Sequence, residues 1–128
     1  MKYAESLKKN YEFRKVYSKG KSLANKYLVV YKYKNKEKNN RLGITVSKKV
    51  GNSVVRSRVT RLIRESYRLQ EENLVKEGLD IVVVARTAAK GATYHEINDA
   101  LTSLLHKHHI NLLSNDNNIL EEIEYFWN

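Results

Sequence analysis

The run KKVGNSVVRSRVTRLIRESYR over residues 48–68 carries seven basic side chains and one acidic one, Glu65. Such a density of positive charge can serve as a solvated face, a metal or substrate clamp, or a grip on nucleic acid. Helical geometry narrows the choice. At roughly 100° per residue, Val54, Val55, Val59, Leu62, Ile63 and Leu69 fall within half a turn and are expected to face the core. Arg58, Arg61, Arg64 and Arg68 point the other way, Ser57 and Thr60 lie at the margin, and Arg56 sits at the border. A merely solvated face would need acids at i,i+4 positions, and Glu65 alone cannot balance this helix. Lys48 and Lys49 precede the helix N-terminus, which attracts phosphate through its free N–H groups. Binding of a phosphate backbone is the favoured use.

A second constellation is aromatic. Phe13 and Tyr17 stand four residues apart on an expected helix, and Tyr27, Tyr31 and Tyr33 share one face of an expected strand. The ratio of nine tyrosines to two phenylalanines favours rings that tolerate a wet surface. Arg14, Lys15, Lys19, Lys26 and Lys32 flank them. An aromatic floor with a basic rim holds single-stranded RNA by stacking and phosphate contact. Core packing is an equally good use of the same rings, and the residues alone leave both open.

Candidates for catalysis are few. The sequence has no thiol, no glycine-rich phosphate loop after a strand and no paired-carboxylate motif. His106 and His109 could meet on one helix turn beside His108, but no nearby carboxylate or fourth ligand completes a metal site. The residues thus describe an RNA-binding domain without an active site of its own.

The elements that must position these groups are legible from pattern. Asn10 is expected to cap a short helix over 11–18, with Glu12 in its first turn and Gly20 just past its end. KYLVVYKY (26–33) and RLGITVS (41–47) are expected to form two strands of a hairpin, joined by the polar loop 34–40. Gly51 and Asn52 make a turn whose Asn caps the basic helix over about 53–70. LDIVVVA (79–85) is the nearly continuous apolar run of a buried central strand. Thr93 and Glu96 fit a capping box, opening a helix in which Ile97, Ala100, Leu101, Leu104, Leu105 and His108 share a face. The order is α-β-β-α-β-α, with no internal repeat.

The chain has 128 residues, 24 bases and 14 acids, a formal charge of +10. One domain is expected over 1–112, where all 24 bases meet only 10 acids. Residues 113–128 hold Asp116, Glu121, Glu122 and Glu124 with no base, together with an apolar face of Ile119, Leu120, Ile123, Phe126 and Trp127. This acidic extension is expected to dock back onto the domain rather than serve as a partner-binding peptide. A domain at such positive charge calls for a polyanionic partner, and nucleic acid is favoured over membrane because no strongly apolar helix face accompanies the bases. Cysteine is absent and no apolar run marks a signal peptide or membrane span, so a cytoplasmic protein is expected.

The string LGITVSKKVGNSVVRSRVTRLIRE resembles the signature of the bacterial ribonuclease P protein subunit. The resemblance extends through LKKNYEFRKVYSKGKSLANKYLVVY and DIVVVAR and covers about residues 7–109. It implies an α/β (α+β) sandwich with a left-handed β-α-β crossover around the basic helix, where such connections are normally right-handed. It also implies that the RNA subunit is the catalyst, using Mg²⁺ held mainly by RNA to cut precursor tRNA and release its 5′ leader. The protein would supply no cofactor of its own and require no oligomerisation. By position, Lys48, Lys49, Asn52, Arg56, Arg58, Arg61, Arg64 and Arg68 fall to binding the RNA subunit, and Phe13, Tyr17 and Tyr31 to binding the leader. Two residues depart from the pattern: Ser57 stands where the family usually has Asn, and Thr60 where it usually has a base. The alternative is a ribosome- or translation-associated RNA-binding protein with no role in processing.

Overall fold

The computed structural model describes residues 4–111. It contains β1 (Glu5–Ser6), α1 (Asn10–Lys19), β2 (Lys21–Ala24), β3 (Leu28–Lys34), β4 (Arg41–Thr45), α2 (Ser53–Gln70), β5 (Leu79–Ala85) and α3 (Tyr94–Lys107). Single 3-10 turns follow α2 at Glu71–Asn73 and β5 at Thr87–Ala89. The five strands form one sheet in the order β1-β4-β5-β3-β2.

The expected hairpin is not formed. β5 lies between β3 and β4, antiparallel to the first and parallel to the second. β5 buries nearly every side chain, so a central position with neighbours on both edges suits it best. The loop after β3 closes over the start of β5 instead. Asn35 N–H donates to the Gly78 carbonyl, and Leu79 N–H donates to the Asn40 side chain at 2.9 Å. The segment β4-α2-β5 is therefore a parallel crossover unit.

Two short strands escaped the sequence pattern. β2 pairs with β3, and β1 pairs with β4 through Glu5 and Ser6 only. Both are mostly exposed and too short to show an alternation. α1 also begins one residue earlier than expected. Lys9, not Asn10, is its N-cap, and the Glu12 carboxylate accepts the N–H groups of Lys8 and Lys9. Those backbone bonds hold its pKa below the usual carboxylate value, against a smaller opposing effect of desolvation.

Strand alternation divides the sheet into two faces. Leu28, Val30, Leu42, Ile81 and Val83 pack against Val59, Ile63 and Tyr67 of α2 and against Ile97, Leu101, Leu104 and Leu105 of α3. On the other face Val82 meets Leu7 and Val16, with Phe13, Tyr31 and Tyr33 at the edge. Expectation fails at both ends of α2, where Val54 is 76% and Leu69 is 59% exposed. The buried stripe runs through Val59 and Ile63 to Ser66, Tyr67 and Gln70, and the two end residues lie on its flanks. Tyr27 also leaves its expected face. It precedes the start of β3 in a turn bonded to the Asn25 side chain, and its hydroxyl donates to Glu96 of α3.

His108 is 6% exposed at the end of α3, and its Nε2 lies 2.7 Å from the Val30 carbonyl. A carbonyl only accepts, so Nε2 carries the proton. Desolvation lowers the pKa of this imidazole below the ordinary histidine value of 6.5. The unfolded chain then binds a proton more readily than the folded one, so His108's contribution to stability is complete above pH 6.5 and is lost as pH falls toward the folded-state pKa. Urea midpoints between pH 7 and about 5 are expected to fall with acidification. In His108→Gln, which keeps an N–H donor, this slope is expected to flatten.

Candidate nucleic-acid interface

α2 is fixed at its start by chemistry visible in the sequence. The Asn52 side chain accepts Val55 N–H at 3.0 Å, so the oxygen of this predicted contact residue is committed to capping. Lys48 and Lys49 stand exposed in the turn before it. From there the predicted arginines separate into distinct environments.

Arg56, Arg61 and Arg64 come together. With Ser53, Ser57 and Thr60 they line a groove of about 450 Å³, whose opposite wall is Ile44 and Val46 at the end of β4. Arg61 and Arg64 are exposed, whereas Arg56 is half-buried and its Nε lacks a hydrogen-bond partner. Arg58 and Arg68 are not part of this groove. Arg58 Nη2 donates to the Ala92 carbonyl at 2.9 Å, which ties α2 to the loop before α3. Arg68 is paired with Glu65 at 2.6 Å. The hydrogen bond from Arg68 lowers the Glu65 pKa and raises that of Arg68, although both groups are solvated and the pair contributes little to stability.

The aromatic cleft forms where α1 crosses the sheet. Tyr17 and Tyr31 meet edge to face with ring centroids 5.0 Å apart, and Phe13 lies 6.4 Å from Tyr17. Phe13 and Tyr31 are half-buried, and Tyr17 is 37% exposed. Core packing and an accessible aromatic floor therefore coexist in one cluster. Two further residues shape it and were not foreseen. Thr45 shares a 2.8 Å hydrogen bond with the Tyr17 hydroxyl. Gly43 gives Phe13 its seat, since a Cβ there would lie 2.5 Å from the ring. A glycine inside a strand is the signal that marks such a close approach. Lys15 Nζ stands 5.6 Å from the Tyr33 ring centroid, giving the cleft a cation at its rim.

Both features converge on the end of β4. Thr45 faces the aromatic cleft, while Ile44 and Val46 face the arginine groove. β1 covers β4 only at Arg41 and Leu42, so this end of the strand is open. A basic groove and an aromatic cleft thus adjoin around one strand end, an arrangement suited to phosphates on one side and unstacked bases on the other.

A family model described as Ribonuclease P matches residues 1–109. The chain belongs to the ribonuclease P protein family. The ribonuclease P protein component of Lachnoclostridium phytofermentans is 59% identical over 107 residues, covering 84% of this chain and 91% of that protein. The solved structure of the Staphylococcus aureus RNase P protein has a TM-score of 0.78 at 39% identity, covering 84% of this chain and 98% of that one. The RNase P protein from Thermotoga maritima gives 0.71 at 33% identity, covering 79% and 94%. The ribonuclease P family match stops short of the acidic extension 113–128, which lies outside the described residues. Both departures from the ribonuclease P pattern, Ser57 and Thr60, line the groove beside Arg56, Arg61 and Arg64.

Among the described residues, no group of three or more His, Asp or Glu side chains converges to hold a metal ion. His108 is turned into the core toward Val30, away from any shared site with His106 and His109. No described helix is long and apolar enough to cross a membrane.

Proposed function

We propose that the chain is the protein subunit of ribonuclease P, binding the catalytic RNA subunit and the 5′ leader of precursor tRNA during 5′ maturation in the cytoplasm. The observation that carries this reading is the junction of the arginine groove and the aromatic cleft at the open end of β4. Arg56, Arg61 and Arg64, with Lys48 and Lys49, grip the phosphates of the RNA subunit. Phe13, Tyr17 and Tyr31 receive bases of the leader. In this reading Mg²⁺ is bound mainly by the RNA subunit, which carries out the cleavage, while the protein groups named here bind RNA. Family membership also weighs against a ribosome-associated binding module, which predicts the same charge and stacking but no gain in tRNA processing.

Leader recognition has its own test. Tyr31→Ala is expected to weaken holoenzyme binding of leader-bearing precursor by about 1–3 kcal/mol if a base stacks on the ring. Binding of mature tRNA, which lacks the leader, is expected to change little. Equal losses for the two RNAs would return Tyr31 to a purely packing role. Tyr31→Phe, which keeps the ring, is expected to retain most of the discrimination.

A further inference from the structure

At the sheet edge opposite β1, a cleft of about 780 Å³ opens beside β2. Lys19 at the end of α1, Lys21 on β2, Lys32 and Lys34 on β3, and Lys107 at the end of α3 contribute five ammonium groups to its lining, and no carboxylate lines it among the described residues. Much of its lining is apolar, with Leu23 on the α3 side of the sheet edge, Tyr33 on the α1 side and the lysine stems between. Lys32 Nζ donates to the His108 carbonyl at 2.9 Å, fastening one wall to the end of α3. This site is separate from the arginine groove and adjoins the aromatic cleft at Tyr33.

Its position relative to the rest of the chain is informative. His108 and His109 line the cleft, and His109 is only two residues before Asn111, roughly 7 Å of extended chain. The sequence then runs through the polar spacer SNDNN (114–118) into Ile119–Trp127, where Glu121, Glu122 and Glu124 alternate with apolar residues and no base occurs. The seven residues 112–118 can span up to about 25 Å, enough to bring the acidic segment over the lysines. We propose that residues 119–128 dock in cis in the β2-edge cleft, with their carboxylates facing the lysines and their apolar residues against Leu23 and the lysine stems. The occupied cleft is thereby screened from other polyanions, and positive charge stays concentrated at the β4 end. An RNA strand is the rival occupant, but the combination of apolar lining and lysine ammonium groups matches an acidic amphipathic segment better. This inference does not depend on the ribonuclease P reading.

The absence of cysteine allows a single nitroxide label at Asn128→Cys in the full chain. Paramagnetic broadening of amide signals is expected to be several-fold stronger at Leu23 and Lys34 than at Arg61 and Arg64. It is expected to disappear in Lys21→Glu/Lys34→Glu, whose two sites are exposed. Broadening centred on Arg61 and Arg64, or spread evenly over the domain, would overturn the proposal. So would broadening at Leu23 and Lys34 that survives the charge reversal. Displacement of the label from these residues by a short oligouridylate at an affinity equal to that of the arginine groove would assign the cleft to RNA instead.

Discussion

Replacing Arg41 with Ala is expected to destabilise the protein by about 3 kcal/mol, because it strands a buried carboxylate. Asp80 is 1% exposed within β5, and Arg41 meets it through two parallel hydrogen bonds of 2.8 Å. The same guanidinium reaches Glu12 of α1 at 2.7 Å, and Asn35 adds a 2.7 Å bond to Asp80. The bonds that Arg41 donates to Asp80 raise its pKa, so its charge persists at any ordinary pH. Arg41 therefore links α1 to the centre of the sheet and helps hold Phe13 and Tyr17 over it. Urea unfolding at neutral pH measures the loss. The double variant Arg41→Ala/Asp80→Asn is expected to be clearly more stable than Arg41→Ala alone, since it removes the unpaired charge. A loss below about 1 kcal/mol for Arg41→Ala would mean that Asp80 is adequately held by Asn35 and water.

Replacing Arg61 and Arg64 together with Ala is expected to weaken binding of the RNA subunit roughly 100-fold, taking about 1.5 kcal/mol for each charge-assisted contact. The salt dependence is the sharper readout. Each phosphate contact removed is expected to reduce the slope of log K against log salt by about 0.7–0.9. Both residues are exposed and lie on the groove, so the substitutions leave the core intact. Arg58→Ala is expected to behave differently. Its bond to the Ala92 carbonyl predicts lost stability with a smaller change in slope. An unchanged slope for the Arg61 and Arg64 variant would make those arginines solvated surface and nothing more.

Local chemistry made much of this protein legible in its sequence. The Asn52 cap, the Thr93 and Glu96 capping box, and the apolar run of β5 each declare themselves within a few residues. The pairing of β5 with both β3 and β4 does not, because periodicity identifies a strand without naming its neighbours. Proximity in sequence suggested a hairpin, and burial of β5 prevailed. A similar limit applies to the site. Helical spacing turned the arginines outward, but the partner of Arg58 comes from a loop 34 residues away. Glu65 stood three residues from Arg68 and was a readable signal that this arginine is paired. Gly43 and Thr45 join the aromatic cleft because α1 packs across β3 and β5 and its Phe13 and Tyr17 side chains reach over to β4, a long-range contact that local pattern does not carry.

The most direct test is reconstitution. The full chain is added to a bacterial ribonuclease P RNA at low Mg²⁺, with leader-bearing precursor tRNA as substrate, and the rate of 5′ cleavage is compared with RNA alone. A protein-dependent increase in that rate, abolished when the RNA subunit is omitted, is the predicted result. No increase over RNA alone would contradict a role in tRNA processing, and cleavage by the chain without RNA would contradict placing the chemistry in the RNA subunit.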